Sequence, residues 1–369
     1  MPLTQHSHRK YAILAEGVLR DPSAAKTAHG VMRYSRDEVV AVIDSDFAGK
    51  RVADVLPDLG RDAPIVASVA DALRFGPTSL LIGSASAGGQ LPSSYRWHVL
   101  GALDAGLEVV NGLHELVSAD ADFAKSASRS GAKIWDVRVP PAERRIFTGD
   151  VYSLAQVIVL AVGTDCSVGK MTAMLELQRT AGSSTSVELV ATGQTGILIA
   201  GAGVPADCVV ADFLAGAVED EVLGRPRSAE IILVEGQGAI MHPAYAAVTF
   251  GLLYGCGADL LMLCHEVGRE MLTGTTLPVP DLREVLRLHE SMLRNVKPAP
   301  CVAIALNTAV LDEDSARRLI ADVERETGVP TDDVVRFGAA RLWSIILKEA
   351  RSLHKAAPEG LLATRIPSA

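Results

Sequence analysis

The sequence predicts an α/β protein with an N-terminal Rossmann-like parallel-sheet domain followed by a P-loop NTPase-like α/β domain. Two observations support this fold class. Apolar runs of strand length alternate with helix-patterned segments over the N-terminal half, which is typical of βαβ units. In the second half, an apolar run leads into the glycine-rich stretch AVGTDCSVGKMT, Ala161 to Thr172, and then into a helical pattern.

The chain has 369 residues, which is long for one hydrophobic core and favours two domains. The stretch VRVPPAERRIFTGDVY combines paired prolines with charged residues and a glycine, as interdomain linkers do. We therefore assign residues 1–138 to the Rossmann-like domain, 139–152 to the linker and 153–369 to the P-loop domain.

Charge and composition limit the classes of molecule that this protein is expected to bind. The net charge of −9 and the lack of a Lys/Arg cluster argue against nucleic-acid binding. No apolar stretch is long enough to cross a bilayer or, at the N-terminus, to form a signal peptide. The five cysteines form no CxxC pair, which favours reduced thiols. We expect a cytoplasmic homo-oligomer that binds a small-molecule substrate, without a nucleic-acid or membrane partner.

Six segments of the N-terminal domain have the composition of strands, and several of them end at glycine, serine or aspartate. In chain order they are YAILAEG, VVAVIDS, PIVAS, SLLIGSA, LEVVNGL and KIWDV. The segment SSYRWHVLGALDAG carries apolar residues at helical spacing and predicts a helix that stops at Gly106. No GxGxxG fingerprint follows the first strand, which argues against dinucleotide binding there.

A polar cluster does follow the first strand, and two interpretations of it stay open. It is either a solvated helix start or an anion or substrate site at the carboxyl end of the strand. Its members are Lys26, Thr27, His29, Arg33 and Tyr34.

The loop after the strand Gln156–Val162 has the order of strand, glycine-rich turn and helix that a phosphate-binding loop requires. Gly169 lets successive N–H groups point inward, the helix N-terminus adds partial positive charge, and Lys170 adds a full one. We predict that a di- or triphosphate contacts Gly163, Thr164, Asp165, Cys166, Ser167, Val168, Gly169, Lys170, Met171 and Thr172.

The loop departs from the usual P-loop pattern at two positions. Gly163 lies one residue too early, and Met171 stands where a Mg²⁺-binding hydroxyl is expected. Dethiobiotin synthetases carry a similar loop and use ATP. The methionine favours phosphate binding without a metal. If Mg-ATP is used, Thr172 and Glu235 are the candidates to hold the ion.

Candidate catalytic, cofactor-binding and substrate-binding residues follow four later strands. Glu235 ends the run IILV, where a Walker B carboxylate would lie, and His242 follows it. His265 ends another buried run, although a lone histidine is more often structural. Asn307 ends the run CVAIAL, where related P-loop proteins often contact adenine. Gln194 lies in a polar turn after the strand that contains ELV.

The motifs occur in an order that resembles the D-glutamate N-acetyltransferase-like family, long catalogued as a domain of unknown function. They are AILAEG, KTAHGVMRY and VIDS in the first domain, then GTDCSVGKMT, ATGQTGI, VEGQG and HEVGR in the second. The resemblance implies that the loop holds the pyrophosphate of acetyl-CoA and that an amino acid, D-glutamate, is acetylated. An acetyl transfer needs no Mg²⁺, which agrees with Met171.

The resemblance also implies roles for the candidate residues. A base must deprotonate the amino-acid ammonium, and Glu235, His242 and His265 are the candidates, with His265 positioned by Glu266 as our preference. Backbone N–H groups or Gln237 would stabilise the oxyanion, and Arg269 or Arg33 would hold the substrate carboxylate. Gln194 is a further candidate for a substrate contact.

Two alternative functions stay open. The first is a Mg-ATP-dependent ligase or kinase of the dethiobiotin synthetase type, which a metal requirement would reveal. The second is a non-catalytic nucleotide-sensing protein, which would bind ligand tightly without turnover.

Overall fold

A computed structural model describes residues 8–353, and its contacts divide the chain into two compact units. The N-terminal unit runs to Pro140 and also includes Gly193–Cys208, and the C-terminal unit comprises Pro141–Thr192 and the chain from Val209 onward. The first change of unit therefore falls inside the predicted linker. Residues 193–208 lie in the N-terminal unit, although the sequence analysis assigned them to the P-loop domain. Residues 1–7 and 354–369 of the predicted domains lie outside the described residues.

The N-terminal unit contains a six-stranded parallel sheet in the order β3-β2-β1-β4-β5-β6, which is the Rossmann order. Each of the six predicted segments overlaps one of its strands, and β1 and β2 begin one residue before their predicted segments. The strands are β1 Lys10–Leu14, β2 Glu38–Ile43, β3 Ile65–Val66, β4 Ser79–Ile82, β5 Glu108–Asn111 and β6 Ile134–Asp136.

Helices connect these strands, and their ends follow local capping rules. The helices are α1 Lys26–Tyr34, α2 Val52–Val55, α3 Val69–Ala72, α4 Arg96–Asp104 and α5 Ala121–Ser130. Helix α5 begins after Asp120, whose carboxylate accepts hydrogen bonds from two first-turn N–H groups, and it ends at Gly131 with φ 76°. The predicted helix before Gly106 is α4.

The C-terminal unit contains a second parallel sheet, in the order β12-β11-β10-β7-β9-β8. Its strands are β7 Val157–Gly163, β8 Val187–Val190, β9 Ile231–Val234, β10 Leu260–Glu266, β11 Cys301–Asn307 and β12 Thr331–Asp332. Strand β7 lies between β10 and β9. The loop after β7 and the residues that end its two neighbours therefore share one edge of this sheet. The predicted fold class is confirmed.

The remaining helices follow the strands of the second sheet. They are α6 Lys170–Ala181, α7 Gln194–Ala200, α8 Ala211–Leu223, α9 Ala246–Gly255, α10 Leu282–Leu293, α11 Glu313–Thr327 and α12 Ala340–Ser352. Helix α7 belongs to the N-terminal unit, where it packs against α1. Within residues 8–353, no helix combines the length and apolar character that a membrane span requires.

Two buried histidines make the stability of the fold sensitive to acid. His98 is fully buried, and neither ring nitrogen has a hydrogen-bond partner among the described residues. His289 donates from Nδ1 to the Val285 carbonyl at 2.8 Å, and burial lowers its pKa to about 4. Below about pH 6.5, the ordinary pKa of histidine, the unfolded chain binds protons that the folded chain does not. The free energy of unfolding must therefore decrease as the pH falls.

We expect His289 alone to lower the free energy of unfolding by about 2 kcal/mol between about pH 7.5 and about pH 5. Urea unfolding at the two pH values measures this difference. His289→Leu should reduce it, because the leucine removes the buried imidazole. An undiminished pH dependence in His289→Leu would contradict the assignment.

Candidate functional site

The loop between β7 and α6 has the backbone conformation of an anion-binding site. Ser167, with φ 56°, is the one non-glycine residue of the described chain with positive φ, and Gly169 has φ 103°. The backbone N–H groups of Ser167, Gly169 and Met171 have no hydrogen-bond partner among residues 8–353. Such N–H groups at a helix N-terminus bind phosphate.

Lys170 is the first residue of α6, and its side chain folds back across the loop. Its Nζ donates hydrogen bonds to the Asp165 carbonyl at 2.7 Å and to the Gly238 carbonyl at 2.8 Å. The side chain is 6% exposed. A Cβ at Gly163 would lie 3.0 Å from Nζ, which explains the glycine at the end of β7. The ammonium group is therefore held in place by two backbone carbonyl oxygens.

Asp165 anchors the loop and is fully buried. Its carboxylate accepts hydrogen bonds from the N–H and the hydroxyl of Thr273, both at 2.8 Å, and from Nη1 of Arg269 at 2.8 Å. Burial alone would raise the pKa of this carboxyl, but the hydrogen bonds from Arg269 and Thr273 outweigh burial and lower it. Asp165 thus maintains the loop conformation, and its carboxylate is not directed at a ligand.

The guanidinium of Arg269 is occupied by the hydrogen bonds that hold Asp165 and the loop. Besides Asp165, its guanidinium donates to the Cys166 carbonyl at 2.9 Å and the Thr273 hydroxyl at 2.6 Å, and it pairs with Glu266. These contacts do not support the predicted bidentate contact of Arg269 with a substrate carboxylate. Among the described residues Glu266 makes no hydrogen bond to His265, and its carboxylate pairs with Arg269, so the predicted positioning of His265 by Glu266 stays a prediction.

His265 ends β10, next to the loop. Its Nδ1 lies 2.9 Å from the hydroxyl of Thr164, whose N–H donates to the Cys264 carbonyl at 3.1 Å. The other ring nitrogen, Nε2, has no hydrogen-bond partner in the described part of the chain. Burial lowers the pKa of His265, Glu266 opposes this effect, and Arg269 adds to it. The ring is therefore neutral at pH 7, and Nε2 can accept a proton when Nδ1–H donates to Thr164.

His242 has a different environment, in which both ring nitrogens are occupied. The Ala244 N–H donates to Nδ1 at 3.2 Å, so Nε2 carries the proton and donates to the Thr273 carbonyl at 2.9 Å. The side chain is 1% exposed. These contacts indicate a structural histidine that supports the segment around Thr273, and they do not favour its predicted role as a base.

Glu235 follows β9, as the sequence predicts, and its carboxylate joins two strand ends. Oε2 accepts from the Thr192 N–H at 3.0 Å, and Oε1 accepts from the Gln237 amide at 3.1 Å. The residue is 4% exposed. By contrast, the Thr172 hydroxyl has no hydrogen-bond partner among residues 8–353. Of the two candidate metal ligands, the Glu235 carboxylate already receives hydrogen bonds, whereas the Thr172 hydroxyl receives none from the described residues.

Gly236 allows the segment that follows β9 to pass close to β7. A Cβ at this position would lie 1.8 Å from the Ala161 carbonyl oxygen. We expect Gly236→Ala to lower the free energy of unfolding by about 3 kcal/mol or more in urea titrations. Gly101→Ala is the matched control, since a Cβ at this helical glycine meets nothing within 4 Å. The control should raise stability by about 0.5 to 1 kcal/mol. Similar stability of the two variants would contradict the close approach.

The remaining residues that were predicted to contact cofactor or substrate are divided between the two units. In the C-terminal unit, the Asn307 side chain accepts a hydrogen bond from the Ala309 N–H at 3.2 Å as β11 ends. In the N-terminal unit, Arg33 is exposed and donates to the Asp58 carbonyl at 3.2 Å. Gln194 is buried there and accepts from Nη2 of Arg138 at 2.8 Å.

Sequence reasoning missed two residues that organise these contacts. Thr273 binds Asp165 and His242 from a segment that carries no recognisable motif. Arg138 was placed at the edge of a linker, yet its side chain is 8% exposed and donates to the Gly112 carbonyl at 2.8 Å. The sequence signal that could have identified Arg138 is its position at the end of a strand segment.

Comparison with known proteins matches both halves of the chain. Residues 145–343 match the family model described as "Domain of unknown function (DUF1611_C) P-loop domain". Residues 45–140 match "Domain of unknown function (DUF1611_N) Rossmann-like domain". The crystal structure of a DUF1611 family protein from Anabaena variabilis is similar, with a TM-score of 0.87 and 38% identity. The match covers 92% of this chain and 99% of that one.

Two curated relatives are both named D-glutamate N-acetyltransferase. The protein from Tritonibacter scottomollicae is 36% identical over 339 residues, covering 89% of this chain and 96% of the relative. The protein from Pseudoalteromonas sp is 31% identical over 274 residues, covering 73% of this chain and 82% of the relative. The resemblance predicted from the motifs is confirmed, and the chain belongs to the DUF1611 family, with its Rossmann-like and P-loop domains.

Proposed function

We propose that the protein is an acetyl-CoA-dependent N-acetyltransferase that acts on the amino group of D-glutamate. The two relatives bear this name, and the chain covers more than four fifths of each of them. The observation that carries the proposal is the loop between β7 and α6. It presents N–H groups that have no partner among residues 8–353, it contains the Lys170 ammonium, and it has Met171 at the position of the usual metal-binding hydroxyl.

The loop suits the diphosphate of coenzyme A. The N–H groups of Ser167, Gly169 and Met171 would donate to its oxygens, and Lys170 would neutralise part of its charge. A diphosphate that is not transferred needs no metal to assist its chemistry. The Glu235 carboxylate, held by Thr192 and Gln237, is accordingly not required as a metal ligand in this proposal.

Acetyl-CoA supplies an activated acetyl group, and the protein must supply a proton acceptor. The substrate ammonium loses a proton to Nε2 of His265, and the amine nitrogen then forms a bond to the thioester carbonyl carbon. The nitrogen of the tetrahedral adduct releases a second proton to solvent, the carbon–sulfur bond breaks, and His265 passes the first proton to the departing thiolate. The products are N-acetyl-D-glutamate and coenzyme A. The burial of His265 favours this role because it keeps the ring neutral before reaction.

The ligase or kinase alternative has one observation in its favour. Thr172 lies in the first turn of α6, one residue beyond the usual hydroxyl, and its own hydroxyl has no partner among the described residues. That oxygen is available to a Mg²⁺ ion. The alternative therefore makes a distinct prediction, namely a requirement for both ATP and Mg²⁺.

The test measures thiol release and product mass with acetyl-CoA and D-glutamate, in EDTA and in Mg²⁺. L-Glutamate and D-aspartate serve as comparison substrates. Turnover of D-glutamate in EDTA supports the proposal. Turnover that requires Mg-ATP, or acetyl-CoA binding without acetylation of any amino acid tested, would contradict it.

A further inference from the structure

Three side chains with metal-ligating atoms lie together in the N-terminal unit. His114 follows β5, and Asp207 and Cys208 belong to the short 3₁₀ turn Ala206–Cys208. One ligand atom from each side chain can be chosen so that all three lie within 4.8 Å of one another. We call these residues the His-Asp-Cys cluster. None of them has a role in the proposed acetyl transfer.

The closest contacts in the cluster approach the ligand spacing of a tetrahedral zinc site, and they involve both ring nitrogens of His114 and both carboxylate oxygens of Asp207. The Cys208 Sγ lies 3.7 Å from Nδ1 of His114 and 3.6 Å from Oδ1 of Asp207. Nε2 of His114 lies 3.7 Å from Oδ2 of Asp207. Zinc bonds of about 2.0 to 2.3 Å at tetrahedral angles place ligand atoms about 3.3 to 3.7 Å apart. A single ion takes one atom from each residue, and such a set lies within 4.8 Å, so the side chains must move closer together to reach this range.

Neighbouring residues hold two of the three side chains in place. The backbone of Gly89 packs against the imidazole of His114, because a Cβ on Gly89 would lie 2.5 Å from its Cδ2 atom. Arg138 pairs with Oδ2 of Asp207 and is itself fixed by the Gly112 carbonyl. This pairing leaves Oδ1 of Asp207 on the side of Cys208. Partners of this kind orient ligands in established metal sites.

We propose that His114, Asp207 and Cys208 bind a Zn²⁺ ion. A thiolate, an imidazole and a carboxylate together favour zinc over Mg²⁺ or Ca²⁺, which prefer oxygen ligands alone. The side chains of His114 and Asp207 are 49% and 30% exposed, so an ion can enter from solvent. Three protein ligands leave the fourth tetrahedral position to water or to a small ligand.

The test uses the full-length protein after treatment with EDTA and its removal. Calorimetric titration with Zn²⁺ should show one equivalent bound. Titration with Co²⁺ should produce the near-ultraviolet charge-transfer band that a cobalt–thiolate bond gives. Cys208→Ser should abolish that band, and His114→Ala should weaken Zn²⁺ binding by more than about 100-fold, the upper end of the effect of outer-shell substitutions.

Two matched variants control for other ligands. Cys166→Ser removes another partly exposed thiol, and His8→Ala removes a histidine whose side chain is 87% exposed. Both should keep one Zn²⁺ equivalent and the cobalt band. Absence of Zn²⁺ binding by the wild-type protein would overturn the proposal, as would a cobalt band that persists in Cys208→Ser. Neither result depends on acetyl transfer, so the proposed function is tested separately.

Discussion

Lys170→Ala is expected to weaken acetyl-CoA binding by about 30- to 150-fold, which corresponds to about 2 to 3 kcal/mol for hydrogen bonds that involve a charged group. The ammonium group is the full positive charge within the loop, and the carbonyl oxygens of Asp165 and Gly238 hold it in place. Without it, the diphosphate keeps the backbone N–H donors but loses its charged partner. Turnover at low acetyl-CoA concentration should fall by at least the same factor.

The experiment must separate ligand binding from stability, because the alanine variant also leaves two carbonyl oxygens without this donor. Lys170→Met retains most of the side-chain volume and removes the charge. Lys348→Ala removes an exposed lysine from α12 of the same unit and serves as the control. Calorimetry well below each variant's unfolding temperature gives the dissociation constants. Affinity for acetyl-CoA that is unchanged in both Lys170 variants would contradict the assignment of the loop.

Much of the fold could be predicted because strand signals are local. A run such as VIVLAV is buried on both sides of a parallel sheet, so it is continuously apolar and easily recognised. The four-residue helices α2 and α3 are too short to show a periodic pattern. The assignment of residues 193–208 to the N-terminal unit depends on tertiary packing of α7 against α1, which no local pattern encodes.

In the candidate site, too, features that are local in sequence could be predicted and contacts between distant residues could not. The loop from Gly163 to Thr172 was predicted because its strand, turn and helix are contiguous in sequence. The hydrogen-bond partners of Asp165 could not be predicted, because Arg269 and Thr273 lie more than 100 residues further along the chain. Similarly, adjacency in sequence suggested that Glu266 positions His265. Successive residues of a strand point to opposite faces, and the hydroxyl of Thr164 contacts the ring instead.

His265→Ala is expected to lower the turnover number by about 10²- to 10⁴-fold, the usual contribution of a positioned general base. Acetyl-CoA binding should stay within about twofold of the wild type, because the phosphate contacts come from the loop and Lys170. The wild-type kcat/KM should decline on the acid side of the His265 pKa, which burial places below the ordinary value of 6.5. That acid decline should be absent from the residual activity of His265→Ala.

Thr164 provides the matched pair of variants that tests how the base is positioned. Thr164→Ser keeps the hydroxyl that lies 2.9 Å from Nδ1 of His265, and Thr164→Val removes it while conserving the shape of the side chain. If Nδ1–H donates to this hydroxyl, the valine variant loses the tautomer that leaves Nε2 unprotonated, and its turnover should fall. The serine variant should retain activity. Full activity in His265→Ala would assign the proton transfer to another group, and equal activity in the two Thr164 variants would show that the hydroxyl does not select the tautomer.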